Sequence, residues 1–68
     1  MFGPGQVAED VRVWQARMAE RGWDIQVDGI YGPQTARIAA AFQAEKGLVV
    51  DGLVGPETWA AAWTAPIT

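Results

Sequence analysis

One eight-residue phrase occurs twice in this chain, and the repeat constrains the fold more than any other feature of the sequence. "DGIYGPQT" occupies residues 28–35 and "DGLVGPET" occupies residues 51–58, with five of the eight positions identical. Each copy opens with Asp-Gly, a turn signal in which glycine can take a positive φ. Each copy continues with Gly-Pro, where glycine is an acceptable N-cap and proline suits the first helical position. The repeat therefore predicts two turns, each of which leads directly into a helix.

Apolar spacing predicts a further helix before the first copy. Four residues at intervals of 4, 3 and 4 share one helical face: Val7, Val11, Trp14 and Met18. We place this helix near residues 7–21, with a stop at Gly22, and the second helix near residues 33–46, with a stop at Gly47. A third helix starts at Gly55-Pro56. The expected fold is all-α, a compact bundle of three short helices that carries the two repeated turn and helix-start motifs.

Two other segments are assigned from local composition. Residues 1–6 contain Gly3-Pro4-Gly5 and are predicted to be a linker or a disordered N-terminus, which leaves residues 7–68 as the domain. Residues 23–27 alternate apolar and polar side chains, but no second alternating run could pair with them, so we expect an extended connection. Ile25 and Val27 are expected to cover the end of the core.

The composition excludes most kinds of catalytic site. The 68-residue chain contains no Cys, no His and no Ser, so Ser-His-Asp and Cys-His nucleophile systems and the usual zinc patterns are absent. Asp28 and Asp51 could in principle form the carboxylate pair of a glycosidase site. However, a chain this short has too few residues to form the walls of the required cleft. The ligand spacing of a calcium loop is also missing. We therefore expect no enzymatic activity in the isolated chain, no metal and no cofactor.

The charge balance and the apolar runs bear on the partners. The net charge of −3 argues against nucleic acid, whose phosphates require a basic face. The longest wholly apolar run, residues 59–63, is far shorter than the roughly 20 residues of a membrane span. No signal peptide is visible at the start of the sequence. A monomeric domain without nucleic-acid or membrane partners is the expectation.

Two glutamines and one glycine of the repeat region carry structural predictions. Gln15 and Gln43 each follow an aromatic residue at equivalent helix positions, and both are predicted to point inward and bond the backbone of the repeated turns. Gly32 joins the first turn to its helix. If Gly32 requires a positive φ, a β-branched residue there would destabilise the fold.

The ordered motifs resemble the peptidoglycan-binding domain type 1 family, a small helical module attached to cell-wall hydrolases. The resemblance covers residues 7–63 and rests on these positions: Val11, Trp14-Gln15, Met18 and Gly22, then Asp28-Gly29, Tyr31-Gly32 and Thr35, then Phe42-Gln43 and Gly47-Leu48, then Asp51-Gly52, Val54-Gly55 and Thr58. The sequence departs from the family pattern at Trp14, where Leu is usual. It departs again at Ile38 and Ala39, where Ala and then Val are usual, a swap that keeps the total volume roughly constant.

The resemblance implies a three-helix module that binds bacterial peptidoglycan and performs no chemistry itself. It also implies a covalently linked catalytic domain in a parent chain that acts outside the cell or in the bacterial cell wall. A phage endolysin is the favoured parent, and a secreted bacterial amidase or carboxypeptidase is the second choice. Two rival classes remain open: a small helical protein–protein adaptor without a carbohydrate ligand, and an enzyme fragment that a partner domain completes.

The candidate ligand-binding residues lie mostly beside the first copy of the phrase: Asp28, Tyr31, Gln34, Arg37 and, on the third helix, Trp63. A Tyr31 phenol at a loop tip could stack on a sugar ring and donate a hydrogen bond, although a packing role is equally open. Arg37 is the cation best suited to a carboxylate of the peptide stem. Asp28 is more often a turn residue whose carboxylate accepts backbone N–H groups.

Overall fold

The structure is a computed structural model that describes residues 9–65 of the chain. Three helices follow one another: α1 (Glu9–Glu20), α2 (Pro33–Lys46) and α3 (Pro56–Thr64). Within the described residues no strand forms, and only Ile30 and Val54 take part in isolated β-bridges. The all-α prediction is confirmed. The predicted linker at residues 1–6 and the predicted start of the first helix at residue 7 lie outside the described residues.

Helix α1 packs inward along one face and ends where glycine allows the chain to reverse. Glu9 and Asp10 lie in its first turn, where acidic side chains favour the helix dipole. The helix ends at Glu20, and Gly22 adopts a φ of 98°, which an L side chain rarely takes. The Trp23 N–H then donates to a carbonyl of the last helical turn at 3.1 Å. The predicted stop at Gly22 is therefore confirmed.

Helix α2 begins and ends as its flanking residues predict, with one correction. Pro33 is its first residue, and Gly47, at φ 72°, closes its C-terminus by donating its N–H to the Ala44 carbonyl. Gly32 has a φ of −101°, which is ordinary extended backbone. The hypothesis of a positive φ at Gly32 is therefore wrong, since an extended N-cap is open to any residue.

The core contains side chains from all three helices and from both repeated turns. Its buried apolar members are Val11, Trp14, Met18, Ile25, Tyr31, Ala39, Phe42, Val54 and Ala62. Trp23 packs its ring edgewise on Phe42, with centroids 6.2 Å apart. Of the two residues expected to cover the end of the core, Ile25 is buried but Val27 is 40% exposed, so that expectation is wrong for Val27. The extended connection at residues 23–27 is confirmed.

Two arginines of the first helical region bind the C-terminal carbonyls of α3. Arg17 Nε donates to the Ala62 carbonyl at 2.8 Å. Arg21 Nη1 donates to the carbonyls of Ala62 and Ala65 at 3.1 and 3.0 Å. The Arg21 guanidinium also lies 5.1 Å from the centroid of the Phe42 ring. These contacts place positive charge at the negative end of a helix and fix α3 against α1.

Candidate functional site

The first repeated phrase is held by a glutamine from the preceding helix, and we call Gln15 with residues 28–35 the first turn unit. Gln15 Oε1 accepts the N–H groups of Asp28 and Gly29 at 3.1 and 2.8 Å. Gln15 Nε2 lies 3.0–3.1 Å from three acceptors: Asp28 Oδ1, the Ile30 carbonyl and Thr35 Oγ1. Because Gln15 is fully buried, these bonds satisfy an amide that would otherwise be costly to enclose.

The second phrase is held in the same way, and Gln43 with residues 51–58 forms the second turn unit. Gln43 Oε1 accepts the N–H groups of Asp51 and Gly52 at 3.1 and 3.0 Å. Gln43 Nε2 lies 2.9 Å from Asp51 Oδ1, 2.7 Å from the Leu53 carbonyl and 3.1 Å from Thr58 Oγ1, the same three kinds of acceptor. The prediction that both glutamines point inward and fix the turns is confirmed.

The two aspartates of the phrases are parts of these turns. Asp28 Oδ1 accepts the Ile30 N–H at 3.0 Å, and Asp51 Oδ1 accepts the Leu53 N–H at 2.9 Å. These backbone bonds, followed by the bond from the glutamine amide, lower the pKa of both carboxyl groups from the ordinary value of 3.8. The geometry suits two ionised turn residues, since neither carboxyl is held protonated as a general acid would be.

The structure places Tyr31 in the core instead of at an exposed loop tip. Its side chain is fully buried, and its hydroxyl donates to the Gly52 carbonyl in the second turn unit. Burial, with the charge of Asp51 as a smaller cause, raises the pKa of the Tyr31 phenol to about 12. The expectation of an exposed ring that stacks on a sugar is therefore wrong. Tyr31 joins the two turn units, a role that the shorter Val54 at the matching position could not perform.

The other predicted ligand residues are at the surface. Asp28, Gln34 and Arg37 are exposed around the first turn unit, and Gln34 Oε1 accepts the Gln26 N–H at 2.8 Å. Trp63 is 40% exposed and its ring lies 4.6 Å from that of half-buried Trp59, measured between centroids. These positions leave the side chains accessible, and their contact with a ligand stays a prediction.

A groove of about 250 Å³ lies beside the second turn unit, and sequence reasoning missed it. Its lining combines apolar and acidic groups: Gln43, Leu48, Val49, Asp51, Gly55, Pro56, Glu57 and Thr58. In the first turn unit the corresponding segment is tied to the helix start by the bond from Gln26 to Gln34. Val49 and Glu57 occupy those positions in the second unit, 23 residues later, and within residues 9–65 no hydrogen bond joins them.

The sequence holds a signal for this groove in the apolar run Leu48-Val49-Val50, which lies between the two copies of the phrase. Val49 and Val50 are 75% and 56% exposed, so two branched apolar side chains face solvent. Exposed apolar residues beside a groove are a surface that a ligand could cover.

Two further kinds of feature are absent from residues 9–65. No three His, Cys, Asp or Glu side chains come together there as a metal ion would require. None of the described helices has the length and apolar character needed to cross a bilayer.

Comparison with known proteins agrees with the helices and turns described above. A family model described as "Putative peptidoglycan binding domain" matches residues 7–62. This chain belongs to that family. The match covers α1, α2, both turn units and most of α3.

Relatives of this peptidoglycan-binding domain are longer proteins. The N-acetylmuramoyl-L-alanine amidase CwlM of Mycobacterium tuberculosis is 41% identical over 58 residues, which are 84% of this chain and 14% of the amidase. The Burkholderia AP3 phage endolysin has a TM-score of 0.88 at 35% identity, over 96% of this chain and 25% of the endolysin. A fused Zn-dependent amidase/peptidase/peptidoglycan-binding domain-containing protein from Clostridium acetobutylicum has a TM-score of 0.90 at 29% identity, over 96% and 29%. The chain thus spans less than a third of each.

Proposed function

We propose that this chain is a non-catalytic module that binds peptidoglycan and holds a linked cell-wall hydrolase on its substrate. The observation that carries the proposal is the family match over residues 7–62, together with relatives in which the matching part is a small share of a longer hydrolase. The carboxylates of the repeated phrases support it as well, because their hydrogen bonds suit turn formation better than proton transfer.

The benefit of such a module is effective concentration. A domain tethered to an insoluble polymer meets its next scissile bond nearly intramolecularly, so a weak binding site can raise the rate of wall cleavage. This function requires an accessible surface and a stable fold, and it requires no catalytic group. A phage endolysin is the parent we favour, on the likeness to the AP3 endolysin, and a bacterial amidase is the second candidate. Either parent would act in the bacterial cell wall.

The surface beside the first turn unit remains one proposed contact area. Arg37 is exposed there and can offer its planar guanidinium to a stem carboxylate through two parallel hydrogen bonds. Gln34 precedes it by one helical turn and Asp28 lies in the adjoining turn. Trp63 on α3 is partly exposed and offers a separate aromatic surface to a glycan ring.

Sedimentation with purified sacculi tests the proposed function. We expect the 68-residue chain to co-sediment with sacculi and not with cellulose, and to release neither reducing sugars nor free amino groups above a heat-denatured control. Absence of sedimentation would favour a protein–protein adaptor instead. Release of sugars or amino groups by clean protein would show that the chain is catalytic.

Variants test the contact area separately from the function. Arg37→Ala should weaken sacculus binding several-fold, whereas Arg12→Ala, which removes an exposed arginine from α1, should not. Trp63→Ala gives the corresponding test on α3. If Arg37→Ala and the unsubstituted chain bind sacculi equally, Arg37 is not a ligand contact. The proposed function of the module would not be affected by that result.

A further inference from the structure

We propose that the groove of the second turn unit binds a primary ammonium group at the end of an aliphatic side chain, as carried by the diamino acid of an un-cross-linked stem peptide. This inference rests on the proposed function and names the part of the polymer that the groove recognises. It commits the groove to the peptide of the wall and not to its glycan.

The charge of the groove supports this proposal. Asp51 and Glu57 both line the groove, and both are exposed. Asp51 uses Oδ1 for its turn hydrogen bonds, and within the described residues no donor is bonded to Oδ2. The N-terminus of α3 also lies there, with a dipole worth about half a positive charge, which is less than the two carboxylates together. The groove is therefore net negative and favours a cation.

The apolar lining of the groove supports it as well. Leu48, Val49 and Pro56 contribute apolar surface to the same groove. Val49 is 75% exposed, so its side chain is available to cover methylene groups of a ligand. An aliphatic chain with a terminal ammonium matches both features, because its methylenes can lie on the valine and proline while its charge meets the carboxylates. A sugar ring offers no cation, and a carboxylate would be repelled.

The difference between the turn units also supports it. Gln34 ties the first unit to its preceding segment through the Gln26 N–H. At the same position the second unit has Glu57, which within residues 9–65 makes no such bond and adds a negative charge beside the groove. In the first unit the segment before the turn is thus bonded to the helix start. In the second unit, within the described residues, that segment is not bonded in this way, and the groove beside it is acidic.

The consequence is a preference for stems whose side-chain amine is free. Forming a cross-link acylates the amine of the acceptor stem to an amide, which removes its positive charge, while the donor stem of the same cross-link keeps its amine. A module that requires the free ammonium would place its hydrolase where few stems have served as acceptors or where cross-links have been cut.

Acetylated sacculi provide the test. Treating sacculi with acetic anhydride neutralises their free amines without cutting glycan or peptide bonds. We expect the unsubstituted 68-residue chain to bind acetylated sacculi about two- to fivefold more weakly than untreated sacculi. This is the loss in affinity expected when one solvent-exposed ion pair is removed. Glu57→Gln should bind untreated sacculi more weakly, and acetylation should reduce its binding less than it reduces that of the unsubstituted chain, because only Asp51 then remains in the groove.

Matched variants separate the groove from the overall charge. Glu9→Gln makes the same charge change in the first turn of α1 and should retain the full response to acetylation. Glu57→Asp keeps the charge and should restore most of the binding. The groove does not bind the amine if the unsubstituted 68-residue chain binds both kinds of sacculi equally, or if Glu57→Gln responds to acetylation as the unsubstituted chain does. Failure of the unsubstituted chain to bind any sacculi would instead reject the proposed function.

Discussion

The two turn units use one scaffold with different surroundings. In each, a buried glutamine accepts two N–H groups from an Asp-Gly turn, and its amide nitrogen lies within hydrogen-bond distance of the aspartate, a turn carbonyl and a threonine hydroxyl. The matching donor–acceptor distances differ by no more than about 0.3 Å, well within the normal range of such bonds. The repeated residues therefore specify the fold, and the positions that differ between the units are where a binding surface can vary.

Two differences within the units, and one just before them, bear on their surroundings. Tyr31 corresponds to Val54 and Gln34 to Glu57 within the units, and Gln26 corresponds to Val49 in the segment before each turn. Tyr31 extends from the first unit and bonds the backbone of the second, whereas the side chain of Val54 has no polar group that could do so. At the helix start, Gln34 accepts the backbone N–H of Gln26, whereas within the described residues Glu57 accepts no bond from the backbone of Val49. The first unit is thus the one that stabilises its neighbour, and the second is the one that leaves a groove.

The largest expected effect follows from removing either glutamine. Gln15→Leu and Gln43→Leu should each lower the free energy of unfolding by at least about 3 kcal/mol, because each leaves several turn groups without a partner. Urea unfolding followed by circular dichroism measures both. Gln26→Leu is the control, since the Gln26 side chain is exposed and its bond to Gln34 uses the backbone. A difference of more than about 1 kcal/mol between the two variants would show that the units are not energetically equivalent.

The next effect concerns Tyr31 at alkaline pH. Its pKa is raised from 10.0 to about 12 in the folded chain, so the protonated phenol is favoured by folding. That stability is fully present below pH 10 and is lost as the pH rises toward 12, by about 3 kcal/mol for a shift of two units. Tyr31 is the one tyrosine of the chain, so tyrosinate absorbance reports its titration directly.

A tyrosine variant shows whether this alkaline loss belongs to the bond between the units. Tyr31→Phe keeps the ring but removes the hydroxyl that bonds Gly52, which should lower stability by about 1 kcal/mol at neutral pH. Its stability should then stay flatter than that of the parent chain between pH 10 and 12. Titration of the parent phenol near 10 would mean that the hydroxyl is not enclosed.

At acid pH the two units should behave alike. The pKa of Asp28 and that of Asp51 are lowered below 3.8 by the same two kinds of hydrogen bond. Groups with a lowered folded pKa stabilise the fold above their unfolded pKa, and that contribution disappears as the pH falls through the folded value. When the thermal midpoint is measured from pH 6 downward, it should therefore begin to decrease once the pH is below about 4. Asp28→Asn and Asp51→Asn should flatten the fall to similar extents, and a clear inequality would set the units apart.

The sequence predicts the parts of this molecule that depend on local chemistry. The starts at Pro33 and Pro56 and the stop at Gly47 follow from residues adjacent to them, and each is where the structure has it. The inward direction of Gln15 and Gln43 was also predictable, because a repeated turn with orphan N–H groups requires a repeated partner.

The features that the sequence does not predict depend on contacts between distant residues. The burial of Tyr31 follows from how the second turn packs against the first, which no local pattern encodes. The role of Arg21 at the end of α3 joins residues 41 and 44 positions apart along the chain. The groove lies beside Glu57, which within the described residues lacks the bond that Gln34 makes in the first unit, and a Gln-to-Glu difference in the sequence does not reveal this.

The smallest effect is expected at the glycine that precedes each helix. Gly32 has a negative φ, and a Cβ added there would have no atom within 4 Å, so Gly32→Ala introduces no strain. Alanine is a poorer N-cap than glycine, but it also reduces the entropy of the unfolded chain, and the two effects should change the free energy of unfolding by no more than about 0.5 kcal/mol.

Gly29→Ala is the matched contrast. Because Gly29 has a φ of 77°, this substitution should lower the free energy of unfolding by about 1–2 kcal/mol. Gly55 and Gly52 repeat this pair in the second unit, with φ values of −98° and 72°. Chemical denaturation of the four alanine variants thus compares the units residue by residue, and a large loss at Gly32 or Gly55 would mean that the helix start requires more of glycine than an extended backbone.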